Sequence, residues 1–297
     1  MKCIYIFNPQ SGNKKHNKMK DYITKKLLSK YDIVDIKPTE KRGDAERFAK
    51  EACGVYDAII VAGGDGTLNE IINGIANQEV RPKIGYIPAG TTNDVAHSLK
   101  IPKNIKKAIK IILNENTMSC DIFKVNQKYG IYVCAFGLFT ASSYSTNQKE
   151  KNIFGKLAYY FSGIKELGTT KKFKFTLKSD ELELKKDIIL GIIANGKYVS
   201  GFKINKDSTF NNGLVNLIIF HEKNKKSVSL KTLFTILKLF LFGVTSIKKV
   251  KNCSVIKLNK FRIEFEDNIP INVDGEKGAE GSFDFMLLNH HIDIFVK

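Results

Sequence analysis

The sequence predicts an α/β nucleotide-binding domain built on a parallel sheet, followed by a mostly β, sandwich-like domain. Three observations predict it. Short apolar runs alternate with helical stretches as far as about residue 115. Closely spaced strand candidates then take over. The chain of 297 residues also suits two cores better than one, since globular units usually run to roughly 100–200 residues.

In the first part, strand-like runs at 2–7, 33–36, 58–62 and 84–87 are separated by helical stretches at 19–28, 45–53, 68–76 and 105–113. Alternation of this kind implies parallel strands with helices on both faces. From about residue 118 the strand candidates are 131–134, 173–177, 188–194 and 214–220. Others follow residue 253, including 261–266 and 269–273, and helical stretches fall near 154–167 and 230–242. The expected domains are therefore 1–117 and 118–297, the last strand returning to the first domain. The run 229–243 (SLKTLFTILKLFLFG) is too short, and too interrupted by Lys231 and Lys238, to span a bilayer, which needs roughly 20 apolar residues. It reads either as a helix that lines a lipid pocket or lies in a membrane interface, or as a core helix packed on the β domain. Burial is the commoner fate of an apolar helix.

With 43% hydrophobic and 26% charged residues the chain has the composition of a folded protein. Its 48 basic and 30 acidic residues leave a formal charge of +18, which favours anionic partners: nucleotides, nucleic acid or a negative membrane surface. The lysines are spread along the chain without a dense arginine block or interleaved aromatics, which argues against nucleic acid. Five scattered cysteines contain no C-x-x-C pair, so neither a disulfide framework nor a zinc site is expected, and a reducing cytoplasm fits. The five histidines show no metal-like spacing and read as surface or packing residues. The apolar run at 3–7 is too short for a signal peptide, so the expectation is a chain that begins at Met1.

The sharpest local signal is VAGGDGTLNE at 61–70, a strand running through a glycine-rich turn into a helix. Such glycines let backbone amides approach phosphate oxygens, and the helix N-terminus favours negative charge. An aspartate inside that turn repels the anion unless a divalent cation lies between them, so Asp65 points to Mg²⁺ bound with the nucleotide. The alternative is a plain turn with Asp65 capping the helix. The segment matches neither the P-loop nor the G-x-G-x-x-G pattern, and the chain has no protein-kinase catalytic loop. Two more turns, NPQSG at 8–12 and PAGTTND at 88–94, follow other strands of the same set. In an open parallel sheet the three converge on the ligand-binding edge.

Late in the chain Asp274 and Glu276 stand two apart. On a strand both would face one side and raise one carboxyl pKa by repulsion. The other reading is an exposed Asp-Gly turn, in which Gly275 breaks that geometry.

NPQSG, GGDGTLNE and PAGTTND, in this order, resemble the bacterial diacylglycerol kinase and related lipid kinase family, which includes the sphingosine kinases. The late NVDGE at 272–276 resembles its catalytic segment, so the likeness covers the whole chain. The resemblance implies an ATP site from Asn8, Pro9, Ser11, Gly12, Gly64, Asp65, Gly66, Thr67, Leu68, Asn69, Glu70 and Thr91, with Thr39 as another nucleotide contact. It implies Glu276 as proton acceptor with Asp274 beside it, and a lipid acceptor bound between the domains. A structural Mg²⁺ site is also implied around 209–214. Here, however, Asn212 stands where the family commonly has aspartate, and a neutral ligand weakens binding of a hard cation, although the backbone carbonyls near Thr209 and Leu214 can still coordinate one. The expected activity is transfer of the γ-phosphoryl group of Mg-ATP to a lipid hydroxyl, most directly that of diacylglycerol. The enzyme would work in the cytoplasm at the anionic inner face of the membrane. NAD kinases share the GGDGT loop and two-domain plan, and NVDGE and NPQSG favour the lipid branch over them. A non-catalytic lipid- or nucleotide-binding regulator is the reading that Asn212 alone favours. An exposed β edge would offer a route to a homodimer.

Overall fold

Apolar runs bounded by turn residues become strands, and the longer periodic stretches between them become helices. The computed structural model describes residues 1–11, 18–138, 172–222 and 229–297. Gly12 and the helical stretch expected near 154–167 lie outside them. In chain order the first elements are β1 (Lys2–Phe7), α1 (Lys20–Leu27), β2 (Ile33–Pro38), α2 (Asp44–Ala52), β3 (Ala58–Gly63), α3 (Asp65–Ile75) and β4 (Lys83–Pro88). After them come α4 (Asp94–Ser98), α5 (Ile105–Asn114), β5 (Thr117–Val125), β6 (Lys128–Gly130), β7 (Val133–Gly137), β8 (Phe173–Lys178), β9 (Glu183–Ala194) and β10 (Val215–His221). The last are α6 (Leu230–Phe242), β11 (Cys253–Leu258), β12 (Lys260–Phe265), β13 (Pro270–Val273), β14 (Glu276–Glu280) and β15 (Phe283–Phe295).

The chain divides into two compact units: Met1–Ile122 with Tyr129–Ile131 and Leu288–Lys297, and Phe123–Lys128 with Tyr132–Leu287. In the first, β4, β3, β1 and β2 lie side by side and parallel. The end of β15 joins the outer side of β4 in the same direction through Ile294 and Ile84. Every residue of β3 is buried, as a central strand covered on both faces requires, whereas β2 at the edge is largely exposed. Helix α5 turns Ile105, Ala108, Ile109 and Ile112 inward, the i, i+3, i+4, i+7 pattern of an amphipathic helix. Because β2 lies on one side of β1 and β3 on the other, the strand order reverses there, and the ends of β1 and β3 flank the position where open sheets take their ligands.

The second unit is antiparallel. Its strands run β14-β13-β7-β9-β8-β12-β15, with β10 also on β9 and β11 on β10. Phenylalanines fill its core: Phe261 stacks on Phe285 at 4.7 Å and Phe123 on Phe285 at 5.3 Å. The favoured core reading of 229–243 holds for one face of helix α6 and not for the other. The helix buries only Thr232, Thr235, Ile236 and Leu239 and leaves its opposite face in solvent. All five cysteines are free thiols, and burial pushes those of Cys3, Cys120 and Cys253 up to about 12.

Candidate active site

The ends of the first unit's parallel strands are stitched together beyond the strands themselves. Asn8 N donates to Ala62 O at 3.1 Å, Thr39 N to Phe7 O at 2.9 Å and Ala89 N to Gly63 O at 2.8 Å. The loops after β1, β2, β3 and β4 therefore leave from one edge, and Asn8, Pro9, Ser11, Thr39, Gly64, Asp65 and Thr91 gather there. Asn8 folds its own loop: its Oδ1 accepts from Gln10 N at 2.9 Å, and its carbonyl accepts from Ser11 Oγ at 2.9 Å. This is the asparagine turn that places a hydroxyl and successive amides at a strand end.

Two glycines let the loops after β3 and β4 touch. A Cβ on Gly90 would lie 2.7 Å from the Gly64 Cα, closer than real Cβ atoms approach backbone. Asn93 closes the second loop from a buried, left-handed position: its Oδ1 accepts from Gly90 N at 2.8 Å and its Nδ2 donates to Gly90 O at 2.7 Å. Past Gly64 the chain enters α3 at Asp65 with no side-chain cap. The first amides of a helix have no internal partner and carry the positive end of its dipole, so this turn is suited to a phosphate. Thr67 packs its Cβ into the space that a side chain on Gly63 would take.

Asp65 faces away from its own helix. Its Oδ2 accepts from Asp94 N at 3.0 Å and Thr92 Oγ1 at 3.4 Å, and its Oδ1 accepts from Val95 N at 3.4 Å. It thus fastens the start of α4 to the glycine turn. Burial raises its pKa, and the amides of Asp94 and Val95 with the Thr92 hydroxyl pull the other way. A carboxylate has about four acceptor positions, so three donors leave room for a hard cation or its water on one oxygen; the residues present fit Mg²⁺ brought in with a nucleotide.

The rest of the GGDGTLNE segment supports the turn. Leu68 is wholly buried, Asn69 Nδ2 donates to Tyr129 O at 3.2 Å, and Glu70 Oε2 accepts from Ala45 N at 3.3 Å. Glu70 thereby brings a negative charge to the N-terminus of α2. Asp44, at the start of α2, accepts from Glu40 N and Lys41 N, both at 2.9 Å, and these amides hold its pKa below the usual carboxylate range. Sequence reasoning assigned no role to Asp44, Thr92 or Asn93. An Asn directly before Asp at a helix start was the available signal, because Asn tolerates the left-handed conformation.

In the second unit, Asp274 and Gly275 are the central pair of a two-residue hairpin turn between β13 and β14, with φ of 51° and 85°. Positive φ at both positions is what such a turn demands, and Asp-Gly supplies it. The pair Asp274 and Glu276 therefore does not share a strand face. Asp274 is buried and its Oδ1 accepts from Tyr132 N and Val133 N, each at 3.0 Å, while Gly275 N donates to Asn272 Oδ1 at 2.8 Å. Glu276, directly after the turn and opposite Val273, is half-buried. The hairpin is rigidly seated by Asp274 and presents Glu276.

The 209–214 turn holds Thr209, Asn212 and Leu214, the residues to which the resemblance assigns a structural Mg²⁺ site. With its amide nitrogen inward, Asn212 Nδ2 donates to Thr209 O at 3.2 Å and Leu214 O at 3.0 Å. Those are the two carbonyls offered to a cation, so in this orientation the Asn212 amide takes one acceptor position on each.

Comparison with known proteins agrees over the whole chain. Residues 2–125 match the family described as diacylglycerol kinase catalytic domain, and residues 133–296 match the YegS C-terminal NAD kinase beta sandwich-like domain. A diacylglycerol kinase of Staphylococcus carnosus (strain TM300) is 34% identical over 294 residues, covering 98% of this chain and 93% of that one. One from Staphylococcus aureus (strain MRSA252) is 35% identical over 295 residues, covering 98% and 90%. A crystal structure of a diacylglycerol kinase from Bacillus anthracis str. Sterne superposes with a TM-score of 0.80 at 24% identity, covering 100% of this chain and 97% of that one, a likeness of fold. A second structure from the same organism reaches 0.84 at 26% identity, covering 100% and 95%. Two matching domains and full-length relatives above the level of chance likeness establish that the chain belongs to the diacylglycerol kinase family, kinases that act on a lipid alcohol.

Proposed function

We propose that the protein transfers the γ-phosphoryl group of Mg-ATP to the free hydroxyl of diacylglycerol, giving phosphatidate and ADP. The observation that carries the reading is the gathering of four strand-end loops around the uncapped start of α3, with Asp65 fixed beside it. Phosphoryl transfer leaves the protein little covalent chemistry to do; it needs placement of the phosphates, charge neutralisation and an acceptor for the hydroxyl proton. The backbone amides of the glycine turn hold phosphate oxygens, with Asn8, Ser11, Thr39 and Thr91 around the nucleotide. Asp65 would hold Mg²⁺, which when bound would supply neutralisation of charge on the phosphates.

The lipid oxygen forms a bond to the γ-phosphorus as the bond to the ADP oxygen breaks, and Glu276 takes the hydroxyl proton. Asp274 is a positioning residue: its carboxylate is fastened to backbone amides, and it sets the turn from which Glu276 projects. The excess of basic residues favours work at an anionic bilayer.

The test is transfer of labelled γ-phosphate to a panel of diacylglycerol, monoacylglycerol, sphingosine, ceramide, undecaprenol and NAD. Label in diacylglycerol that is lost in Asp65→Ala and Glu276→Ala is the expected result. Label in NAD, the substrate of the NAD kinases named in the second domain's description, would overturn it, as would ATP binding with no labelled acceptor.

A further inference from the structure

Helix α6 is amphipathic the wrong way round for a helix that only packs. Its inner face is fastened by polar groups: Thr232 Oγ1 donates to Glu222 Oε2 at 2.7 Å, Asn252 Nδ2 donates to Thr232 Oγ1 at 2.7 Å, and Thr235 Oγ1 donates to Asn252 Oδ1 at 3.2 Å. Ser229 caps the first turn, its Oγ accepting from Thr232 N at 3.3 Å. Leu230, Phe234, Leu241 and, at the helix end, Phe242 are exposed by 73, 69, 54 and 58%. At about 100° per residue, Leu230, Phe234 and Leu241 fall within about 40° of one another. Among the described residues Phe234 and Phe242 are the only strongly exposed phenylalanines. Large apolar side chains grouped on one exposed face mark an interaction surface.

Charge identifies what meets it. Residues 229–251 carry five lysines and no acidic residue. Lys231 and Lys238 are exposed on α6 itself, and Lys248, Lys249 and Lys251 are exposed just beyond its end. An apolar stripe edged by lysines is the pattern of a helix lying in the interface of an anionic bilayer, its apolar side chains among the acyl chains and its ammonium groups at the phosphates. The surface of a second copy of this basic chain would meet those lysines with like charge.

We propose that α6 is the membrane-docking element of the protein, inserting Leu230, Phe234 and Leu241 into an anionic lipid surface. This rests on the lipid kinase reading for its purpose, and its test does not need that reading. Co-sedimentation, without ATP, is measured with phosphatidylcholine vesicles holding about 30% phosphatidylglycerol. Wild type binds, the Phe234→Ser/Leu241→Ser variant binds at least about tenfold more weakly, and Phe234→Leu retains binding. The double variant keeps the wild-type far-UV circular dichroism and melting temperature, showing that its fold is intact. Wild-type affinity of the double variant for the vesicles would overturn the proposal. So would a wild-type dimer in sedimentation velocity that the double variant abolishes, because a second copy would then cover the face. A chain that docks through α6 but phosphorylates no lipid would refute the kinase reading alone.

Discussion

Asn212 differs from aspartate by one nitrogen, and that nitrogen decides what the turn at 209–214 needs. Assigned with its nitrogen inward, its amide donates to Thr209 O and Leu214 O, doing by hydrogen bonding what a cation would do by coordination. Without nucleotide, the wild-type melting temperature is therefore expected to be the same in EDTA and in Mg²⁺. Asn212→Asp, which turns two acceptors against a carboxylate, is expected to melt lower in EDTA and to recover in Mg²⁺; a wild type that Mg²⁺ stabilises and Asn212→Ala does not would contradict this.

Asp65 makes a second prediction. Its pKa is raised by burial in the folded protein, so the folded state binds the proton more tightly than the unfolded state. Asp65 then stabilises the fold most below its unfolded value, and that contribution is lost as pH rises through the raised folded value. Asp65→Asn does not titrate, so its stability relative to wild type should climb across that window and level off above it, as denaturant titration at a series of pH values would show. The sequence singled out Asp65 as a candidate; it could not show the Asp94 and Val95 amides that hold it, because those come from a loop about thirty residues away.

Asp274 and Glu276 separate by the same logic. Asp274→Ala strands the Tyr132 and Val133 amides and places alanine at positive φ, at a cost of about 2–4 kcal/mol, whereas Asp274→Asn keeps an oxygen for both and retains stability. Glu276→Gln should leave the melting temperature within about 1 °C and remove turnover. Thermal melts run beside the kinase assay distinguish the two roles.

Elements were legible where periodicity was strong. The strands of the first unit and helices α1, α2, α3 and α5 lie within a few residues of the patterns read from the sequence, because each buried strand is a short apolar run and each helix has one apolar stripe. The face of α6 was not legible. Its composition is apolar almost all round, and only the partners Glu222 and Asn252, distant in sequence, show that the threonines point inward. Ser229→Ala is expected to cost about 1 kcal/mol by removing the cap; a urea titration reads it. The loops after β3 and β4 give a sharper element-level prediction. Gly90→Ala must push against the Gly64 Cα, so KM for ATP should rise at least about tenfold while secondary structure by circular dichroism is retained.

At the scale of the molecule, the formal charge of +18 acts through long-range attraction that salt screens, the Debye length falling from about 10 Å at 0.1 M to shorter values above it. Turnover on anionic vesicles should fall several-fold between about 50 and 300 mM salt, and turnover of a water-soluble diacylglycerol should not; an equal response of both would remove membrane steering. Two-part architecture was legible from the change of pattern near residue 118. The return of the last strand was expected, and residues 288–297 belong with the first unit; the partner and register, Ile294 beside Ile84, are long-range facts that no local pattern reveals.

The measurement that bears most directly on the account is phosphatidate formation from diacylglycerol vesicles and Mg-ATP, with ATP affinity measured on the same samples. Labelled phosphatidate from wild type, and none from Glu276→Gln despite unchanged ATP affinity, is the predicted result. Label transferred equally by Glu276→Gln, or no phosphatidate from a wild type that binds ATP, would contradict it.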